Sequence, residues 1–452
     1  LEHQGFACPL FVITSGGGIT TLETAIRFPI RLVESGPSGG AVLAARIAAE
    51  RRISDVLSFD MGGTTAKVCL IEDARPRSSR SFEIDRSDRF LKGCGLPARI
   101  PVTEMIEIGA GGGSIAAIDG LGRLRVGPQS ASSDPGPACY DRGGSAPTVT
   151  DADLVAGYLD PATFAEGRLE LDPQLARTAI ETALAGPLGV SVDAGADGIS
   201  QTVDEAMANA ARMHAVEQGK NLADCTLVAF GGNGALHASR VADKVGIDEI
   251  IVPQSPGVGS ALGFLYAPVA YEIVRSRHAR ITDFPFDEIN RLLAGLEAEG
   301  REVVAAGAPG EIMEVRRIAF MRYDGQGHEI EIEIPAGDID APNLDLLVAS
   351  FEDEYRRLFG RVVPDMAIEV MNWSVTVSNL PPPVVEVGEP DPVRQPPMAG
   401  RRELCLGQHE QRITADVYHR SELEPGDRLD GPALIVEPQT TSFVAADFEA
   451  RI

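Results

Sequence analysis

An aspartate, two glycines and two threonines separate two apolar runs in the segment SFDMGGTTAKVCL, residues 58–70. Two apolar strands joined by Gly-Gly predict a hairpin, and the absent side chains let backbone amides approach a bound group. The hydroxyls of Thr64 and Thr65 add donors, so the turn suits phosphate oxygens. Asp60, at the end of the first strand, is placed to hold a hydrated Mg²⁺ or to orient a water. A tight hairpin with a capping aspartate explains the same residues equally well, because short glycine motifs are common.

A second glycine-rich loop lies in IEIGAGGGSIAAID, residues 106–119. Its centre consists of Gly111, Gly112, Gly113 and Ser114. These small residues fall between two apolar segments, so the argument for close backbone approach applies again. The dinucleotide fingerprint GxGxxG is not met, because counting from Gly109 places Ser114 at the final glycine. Taken alone, this loop is better interpreted as a simple β-turn.

A third glycine-rich loop lies in LVAFGGNGALHASRVADKVG, residues 227–246. A buried strand ends just before Gly231 and Gly232, and a helix follows, which presents its N-terminus to whatever lies above the sheet. The glycine pair would let a flat base or a ribose lie against the backbone. An ordinary strand-to-helix turn is the alternative. His237 falls inside the helix, where a packed core histidine is preferred over a donor that faces a ligand.

Acidic residues follow in SSDPGPACYDRGGSAPTVTDADLVAG. Asp134, Asp151 and Asp153, with His237, could form a metal or substrate site. The alternative is local structure: Asp-Pro-Gly-Pro favours turns, and Asp151 can cap a helix, which we prefer. Cys139 has no base near it in sequence, so a nucleophilic role is the weaker interpretation of that thiol.

The elements that would position these loops alternate along residues 1–280. LFVITS, DVLSFDM, TLVAFGG and EIIVP predict buried strands, and GGAVLAARIAAE, QLARTAIETALA and ISQTVDEAMANAARMHAVEQG predict helices. This alternation is typical of a layered α/β domain with helices on a largely parallel sheet.

The pattern changes beyond that domain. Residues 281–380 predict a smaller α+β domain, with the helix FDEINRLLAGLEAEGREVVAAG, the period-two strand HEIEIEI, the helix LDLLVASFEDEYRRLFG and the strand IEVMNWSVTVS. Residues 381–400 are a proline-rich connection, and residues 401–452 predict a β-rich C-terminal segment.

Composition excludes several classes of function. The chain has 452 residues, with 40 basic and 66 acidic side chains, so its formal net charge is 40 − 66 = −26. Nucleic acid is therefore not the expected ligand, whereas a nucleotide held by backbone amides remains compatible. The motifs GxxxxGK[ST], HExxH and GxSxG do not occur, which argues against P-loop, zincin and α/β-hydrolase chemistry.

The cellular context is also constrained. The 6 cysteines form no CxxC pair, which disfavours a disulfide framework and a structural zinc site, so we expect a cytoplasmic protein. No apolar run reaches the length of a bilayer span, so we expect no membrane partner. The chain opens at Leu1 with GFACPLFVITSGGGITT shortly after, a pattern typical of the middle of a domain, so we expect a piece of a longer or processed protein.

The order of the loops carries a resemblance. DMGGTTAK, then GAGGGS, then FGGNGALHA resembles the second half of an actin-like ATPase core, the fold of sugar kinases, actin and the large heat-shock chaperones. More closely, VESGPSGGAVLAARIA, EMIEIGAGGGSIAAID and PGVGSALGFLYAP resemble the hydantoinase A/5-oxoprolinase family, which includes N-methylhydantoinase A and subunits of acetone and acetophenone carboxylases. The resemblance continues through RYDGQGHEIEIEI to DGPALIVE and so covers nearly the whole chain.

The resemblance implies an ATP site. In the family the DxGGT turn binds phosphate, so Asp60 would face Mg²⁺, through a water, and the attacked phosphate, with Thr64 as a second catalytic residue. The residues expected to bind nucleotide are Gly62, Gly63, Thr64, Thr65, Lys67, Gly111, Gly112, Gly113, Ser114, Gly231, Gly232 and Gly234. Asp153 and His237 are further metal candidates. Family members carry a second DxGGT hairpin in a preceding region, which this sequence does not contain upstream of Leu1.

The expected function is that of a nucleotide-binding subunit of an ATP-dependent cyclic-amide hydrolase, which activates a substrate oxygen by phosphorylation. A subunit of a ketone carboxylase is the alternative, because the family's hydrolases and carboxylases share the nucleotide residues. A small-molecule kinase and a non-enzymatic actin-like ATPase are further alternatives on the same fold. The expected partners are a hydantoinase B-type subunit and the missing N-terminal region.

Overall fold

The computed structural model describes residues 2–80, 82–84, 95–98, 100–388, 394–406 and 411–452. The chain forms two compact units. The smaller unit contains Leu1–Thr14, Gly18–Val33 and Ala267–Pro382, and the larger unit contains Ser15–Gly17, Glu34–Tyr266 and Pro383–Ile452.

Helices and strands are interspersed along the described residues. In chain order, the helices are α1 Leu22–Arg27, α2 Ser35–Arg51, α3 Val149–Val155, α4 Pro173–Ile180, α5 Gly186–Leu188, α6 Val192–Glu217, α7 Gly234–Val245, α8 Gly259–Gly263, α9 Phe286–Gly307 and α10 Ala341–Phe359. The strands are β1 Phe11–Ile13, β2 Ile19–Thr21, β3 Asp55–Met61, β4 Ala66–Glu72, β5 Arg75–Pro76, β6 Ser78–Ser79, β7 Phe82–Ile84, β8 Leu96–Ala98, β9 Val102–Thr103, β10 Ile106–Ile108, β11 Ser114–Ile118, β12 Leu124–Ser130, β13 Thr226–Phe230, β14 Ile250–Ile251, β15 Ala270–Arg280, β16 Met313–Tyr323, β17 Ile330–Glu333, β18 Ile368–Asn379, β19 Gly400–Leu406, β20 Gln411–His419, β21 Arg428–Asp430, β22 Ala433–Val436, β23 Thr441–Val444 and β24 Glu449–Arg451.

The central sheet of the larger unit has the strand order β10-β4-β3-β13-β14, with β5 beside β4. β3, β13 and β14 are parallel, whereas β4 and β10 pair antiparallel with their neighbours. The sheet is therefore mixed, and the expectation of a largely parallel sheet was wrong. The reason is local: the short DMGGTT turn can only join antiparallel strands, since a parallel pair needs a long crossover.

Helices cover both faces of this sheet. Leu57, Phe59 and Met61 of β3 pack into one core cluster with apolar residues of α6, while Val56 belongs to a second cluster with Ala44 and other alanines of α2. Burial on both faces explains why DVLSFDM is a nearly continuous apolar run. The predicted helix QLARTAIETALA is α4, which continues through a π-helical turn into α5.

The β-rich C-terminal segment belongs to the larger unit. Its strands form the sheet β19-β20-β22-β23 and the pair β21-β24. Leu404, Leu434 and Phe443 of the first sheet share a buried cluster with Leu236 of α7, so the segment packs on the helix that follows the third glycine loop. Residues 389–393 of the predicted proline-rich connection lie outside the described residues.

The smaller unit is an antiparallel sheet of order β15-β18-β16-β17 with α9 and α10 in the same core. β1, from the predicted strand LFVITS, pairs with β2 in this unit rather than in the α/β sheet. β15 also belongs to the smaller unit, because it pairs with β18 along its length. The two compact units therefore divide the chain differently from the expected domains 1–280, 281–380 and 401–452. The boundaries of those domains stay predictions.

The described part of the chain has no helix with the length and apolar character that crossing a bilayer requires. The cysteines of the described residues are free thiols, namely Cys8, Cys69, Cys139, Cys225 and Cys405.

Candidate functional site

The first two glycine loops are bonded to each other. The turn at residues 62–65 closes the β3–β4 hairpin, with the amide of Gly62 donating to the carbonyl oxygen of Thr65 at 3.0 Å. The amide of Gly112 donates to the carbonyl oxygen of Gly62 at 3.1 Å, and that of Gly113 to the carbonyl oxygen of Gly63 at 2.6 Å. Segments about fifty residues apart in sequence therefore form one backbone assembly.

The third glycine loop lies beside the first two glycine loops. β13 runs parallel to β3, so the carboxyl ends of both strands lie at one edge of the sheet. The amide of Asn233 donates to the carbonyl oxygen of Met61 at 3.0 Å, and the amide of Gly231 donates to that of Pro256 at 2.8 Å. α7 then begins at Gly234, so its N-terminus faces this edge. The structure brings together all three loops that the sequence singled out.

Some of these glycines are required by close packing. A Cβ on Gly111 would lie 2.7 Å from backbone atoms of Gly63 and Thr64, and a Cβ on Gly113 would lie 2.9 Å from Ser130 Oγ. Gly231 has a φ of +88°, which side-chain-bearing residues rarely adopt. The buried loop of Gly111, Gly112, Gly113 and Ser114 therefore supports the hairpin turn from behind, and the role of these residues in nucleotide binding stays a prediction.

Other glycines face open space. A Cβ on Gly63 or Gly232 would meet nothing within 4 Å, and one on Gly62 would come no closer than 3.9 Å to another atom. Gly63, Thr64 and Gly232 are exposed. We call the turn at residues 62–65, Gly232 and Asp60 the open edge. It is the part of the assembly where a ligand can approach the backbone.

Asp60 is half-buried at the open edge. Its Oδ2 accepts a hydrogen bond from Ser260 Oγ at 2.9 Å. Burial raises the pKa of Asp60, and the nearby charge of Glu107 adds to this, while the Ser260 hydrogen bond and the charge of Lys67 act in the opposite direction. One carboxylate oxygen is thus fixed, which orients the other for a water or a hydrated cation.

Sequence reasoning missed Ser260 as a partner of Asp60. Ser260 lies on the short helix α8, and a glycine of α2 allows the two helices to come close: a Cβ on Gly40 of α2 would lie 3.0 Å from Ser260 Oγ. The available signal was the segment PGVGSALGFLYAP, in which small residues surround its single serine.

Lys67 supplies positive charge beside the turn. Its Nζ donates to Thr65 Oγ1 at 2.9 Å and lies 3.4 Å from Glu107 Oε1. Burial raises the pKa of Glu34, and Glu107 raises it further, whereas Lys67 lowers it. Lys67 is therefore close to two carboxylates as well as to the turn, so its charge is available to an anion only in part.

Asp153 and His237 lie in a network of buried charged side chains. His237 Nδ1 is 2.6 Å from Asp204 Oδ1, His237 Nε2 is 3.4 Å from Asp153 Oδ2, and Arg240 Nε donates to Asp204 Oδ2 at 2.6 Å. Asp153, Asp204 and His237 are all fully buried. We call these four residues the buried ion network. Two carboxylates face two basic groups, so its charges cancel.

The charges of the network favour a protonated His237. Burial alone would lower the pKa of His237, but the charges of Asp153 and Asp204 outweigh it and raise the pKa to about 9. The described residues contain no group of three or more His, Cys, Asp and Glu side chains arranged to hold a metal ion. The metal assignment of Asp153 and His237 thus lacks a third ligand of these types among the described residues and stays a prediction.

The remaining acidic candidates are Asp151, which has a structural role, and Asp134, which lies in an exposed turn. Asp151 forms a capping box with Thr148 at the start of α3, and its carboxylate also accepts from the amide of Cys139 at 2.8 Å, so the capping interpretation is confirmed. Asp134 is exposed in a turn. Burial raises the pKa of the Cys139 thiol well above its usual value, which disfavours the nucleophilic thiolate.

Comparison with known families identifies the chain. Residues 1–273 match the Hydantoinase/oxoprolinase family, and residues 286–452 match the Hydantoinase/oxoprolinase C-terminal domain. The chain belongs to the hydantoinase/oxoprolinase family. The family resemblance predicted from the sequence is confirmed.

Among relatives of this family member, caprolactamase subunit alpha of Pseudomonas jessenii is 30% identical over 98% of the chain and 63% of its own length. The acetophenone carboxylase gamma subunit of Aromatoleum aromaticum is 29% identical over 96% of the chain and 59% of its own length. A nucleotide-free structure of acetone carboxylase matches with a TM-score of 0.80 and 26% identity, covering 100% of this chain and 64% of that one. The chain therefore spans about three-fifths of these proteins, and the predicted fold class is confirmed.

Proposed function

We propose that this chain is the nucleotide-binding part of an ATP-dependent enzyme that opens a cyclic amide. The observation that carries the proposal is the open edge, where the exposed Gly63 and Thr64 of the turn, an exposed Gly232 and a half-buried Asp60 lie together. The similarity to caprolactamase subunit alpha supports the choice of a cyclic amide as substrate.

The residues of the open edge suit a nucleoside triphosphate. The backbone amides of the exposed Gly63 and Thr64 and the hydroxyls of Thr64 and Thr65 would offer donors to phosphate oxygens, and Lys67 adds charge. The Gly231–Gly234 loop and the N-terminus of α7 would take the adenosine side, where glycine leaves room for a flat group. The supporting loop at residues 111–114 keeps the turn in place.

Asp60 fits the coordination habits of Mg²⁺. This ion keeps several waters and is held by one or two carboxylates together with substrate phosphates, so a single fixed carboxylate is sufficient on the protein side. Bound there, Mg²⁺ would neutralise the charge of the phosphates. Asp60 would orient the ion's water shell, and Ser260 would orient Asp60.

Phosphorylation would activate the amide group of the ring, because it converts a poorly reactive amide oxygen into a phosphorylated oxygen. The amide oxygen of the ring attacks the terminal phosphorus of ATP, and ADP leaves with the electrons of the broken P–O bond. The ring carbon now carries a phosphorylated oxygen, so a first water can add to it and the C–N bond breaks, with the ring nitrogen leaving as a protonated amine. A second water then hydrolyses the resulting acyl phosphate to a carboxylate and free phosphate. We propose that a partner subunit of the hydantoinase B type contributes to ring opening. The relatives of the chain are themselves named as subunits, which supports this proposal.

Ketone carboxylation is the second candidate. It is supported by the 29% identity to the acetophenone carboxylase gamma subunit and by the structural match to acetone carboxylase. The same open edge would then phosphorylate an enolate oxygen or activate bicarbonate, so its residues do not separate the two reactions.

Substrate-dependent phosphate release tests the proposal. The complete protein, with any subunit that co-purifies, would be given ATP and Mg²⁺ together with 5-oxoproline, hydantoin or caprolactam, or with acetone or acetophenone and bicarbonate. We expect phosphate release only when a cyclic amide is present. Release that requires a ketone and bicarbonate would favour the carboxylase, and a stable phosphorylated product would indicate a kinase. Release that no substrate stimulates would contradict both enzymatic proposals.

A further inference from the structure

The turn of a C-terminal hairpin contacts the third glycine loop. Thr440 lies between β22 and β23, and its Oγ1 donates to the carbonyl oxygen of Gly232 at 2.8 Å. The side chain of Thr440 is buried, whereas Gly232 is exposed at the open edge. The hairpin turn is itself closed by the amide of Glu437 donating to the carbonyl oxygen of Thr440 at 2.9 Å. A hydroxyl from the C-terminal segment therefore holds a main-chain atom of the candidate site.

The same turn also contacts the segment that leads to Asp60. A Cβ on Gly257 would lie 2.9 Å from the Cβ of Gln439, so the two backbones come close there. The neighbouring Pro256 accepts the hydrogen bond from the amide of Gly231. Three residues after Gly257, Ser260 donates to Asp60. Residues 437–440 thus lie against the segments that position both sides of the open edge.

The hairpin is firmly placed relative to α7. Phe443 of β23 packs against Leu236 of α7 and edge-on to Tyr158, with ring centroids 5.0 Å apart. Ser239 Oγ of α7 donates to the carbonyl oxygen of Phe443 at 3.1 Å. The helix that follows the glycine loop is therefore joined to the hairpin by apolar packing and by a hydrogen bond.

We propose that Thr440 is a positioning residue of the nucleotide site and that residues 437–440 form its adenosine-side support. A loop with glycines at positions 231, 232 and 234 has access to many backbone conformations, and ordering it on binding would reduce the affinity for the ligand. Thr440 restricts the loop before the ligand arrives, so less order has to be imposed on binding. The proposal rests on the proposed function in one respect only, namely that the ligand is ATP.

Three single substitutions test the role of the hydroxyl. Thr440→Val removes the hydroxyl and keeps the shape, Thr440→Ser keeps the hydroxyl, and Thr441→Val removes the hydroxyl of the neighbouring buried threonine as a matched control. In the complete protein we expect Thr440→Val to weaken the affinity for a non-hydrolysable ATP analogue about threefold to tenfold, as one hydrogen bond predicts. Thr440→Ser and Thr441→Val should bind like the wild type.

Hydrogen exchange supplies a readout that needs no nucleotide. We expect peptides that cover residues 229–236 to exchange faster in Thr440→Val than in the wild type or in the two other variants. Wild-type affinity together with wild-type exchange in Thr440→Val would overturn the proposal. A wild-type protein that does not bind the analogue would contradict the proposed function, while the exchange comparison would still test Thr440. If Thr440→Val does not fold, Thr440→Ser and Thr440→Ala provide the same comparison, because they differ only in the hydroxyl.

Discussion

Two clusters of charged side chains in the larger unit differ in how fully their charges are paired. The buried ion network has two carboxylates facing two basic groups, with its carboxylates and imidazole fully buried. Asp60, at the open edge, is half-buried and has Ser260 as its hydrogen-bond partner among the described contacts. A network whose charges cancel inside the core serves the fold, whereas a carboxylate left partly unpaired beside open space is available to a ligand.

The pKa directions follow the same division. Burial alone would raise the pKa of Asp204, but Arg240 and His237 outweigh it and hold the pKa below its usual value. At Asp60 burial prevails, and the pKa is raised despite Ser260 and Lys67. The first carboxylate is stabilised as an anion by the protein itself, while the second would gain from a cation that arrives with a ligand. Substitutions in each cluster should therefore affect stability and activity differently.

The largest effect is expected in the buried network. His237→Gln removes the cation between Asp153 and Asp204 and leaves two buried carboxylates with one basic partner. Removing one partner of a buried ion pair typically costs about 3–5 kcal/mol of unfolding free energy. Denaturant titration of His237→Gln measures this loss, with the exposed His419→Gln as a control that should stay within about 0.5 kcal/mol of the wild type. If His237→Gln is as stable as the wild type, the buried ion network does not stabilise the fold.

Asp60→Asn should leave the stability of the fold unchanged and reduce the activity. We expect the fold and its stability to be kept, because Asn is nearly isosteric and Asp60 has few partners, while ATP hydrolysis by the complete protein falls by about two orders of magnitude or more. Steady-state phosphate release and a denaturant titration on the same sample separate the two effects. Turnover close to that of the wild type would exclude Asp60 from the mechanism.

The pH dependence of stability should follow the buried network. Folding raises the pKa of His237 from 6.5 to about 9, so the protonated form is favoured in the folded state. The resulting stabilisation is fully present below about pH 6.5 and is lost as the pH rises through about 9. We expect the unfolding free energy to fall between pH 7 and pH 10 in the wild type and to fall less in His237→Gln. Parallel profiles for the two proteins would show that His237 is not the group that titrates.

Local elements could be predicted from the sequence because their signals are local. β3 and α9 have the bounds of the segments DVLSFDM and FDEINRLLAGLEAEGREVVAAG, since apolar periodicity and turn residues mark their ends. The mixed sheet was missed because strand direction depends on the partner strand. The pairing of β15 with β18 was missed for a similar reason: it joins residues about one hundred positions apart.

The site could be predicted only in part. The three glycine loops were found because glycine pairs after apolar strands are visible in the sequence, and their order carried the family resemblance. The contacts from Ser260 to Asp60 and from Thr440 to Gly232 each join residues about two hundred positions apart, and a single hydroxyl carries no periodic signal. Such side chains become visible only when the chain is folded.

Two neighbouring glycines of the third loop give a matched pair of variants. Gly232 has open space around its Cβ position, so Gly232→Val should fold and weaken the affinity for ATP about tenfold by filling that space. Gly231 has a φ of +88° and its Cβ would meet Met61 and Asp60, so Gly231→Val should lower the melting temperature instead. Calorimetry and thermal unfolding distinguish the two outcomes. Unchanged nucleotide affinity in Gly232→Val would leave this loop as an ordinary strand-to-helix turn.

The smallest effect is expected from Ser260→Ala. The Ser260 hydroxyl lowers the pKa of Asp60 against the effects of burial and Glu107, and Lys67 acts in the same direction as Ser260. Without the hydroxyl the pKa rises further, so the acid limb of the profile of kcat/KM against pH should move to higher pH, with a loss of only a few-fold in kcat/KM at pH 8. Ser200→Ala, which removes a buried hydroxyl from α6, serves as the matched control and should leave the limb in place. A Ser260→Ala profile that coincides with that of the wild type would mean that Asp60 titrates independently of Ser260, or that a group other than Asp60 sets the acid limb.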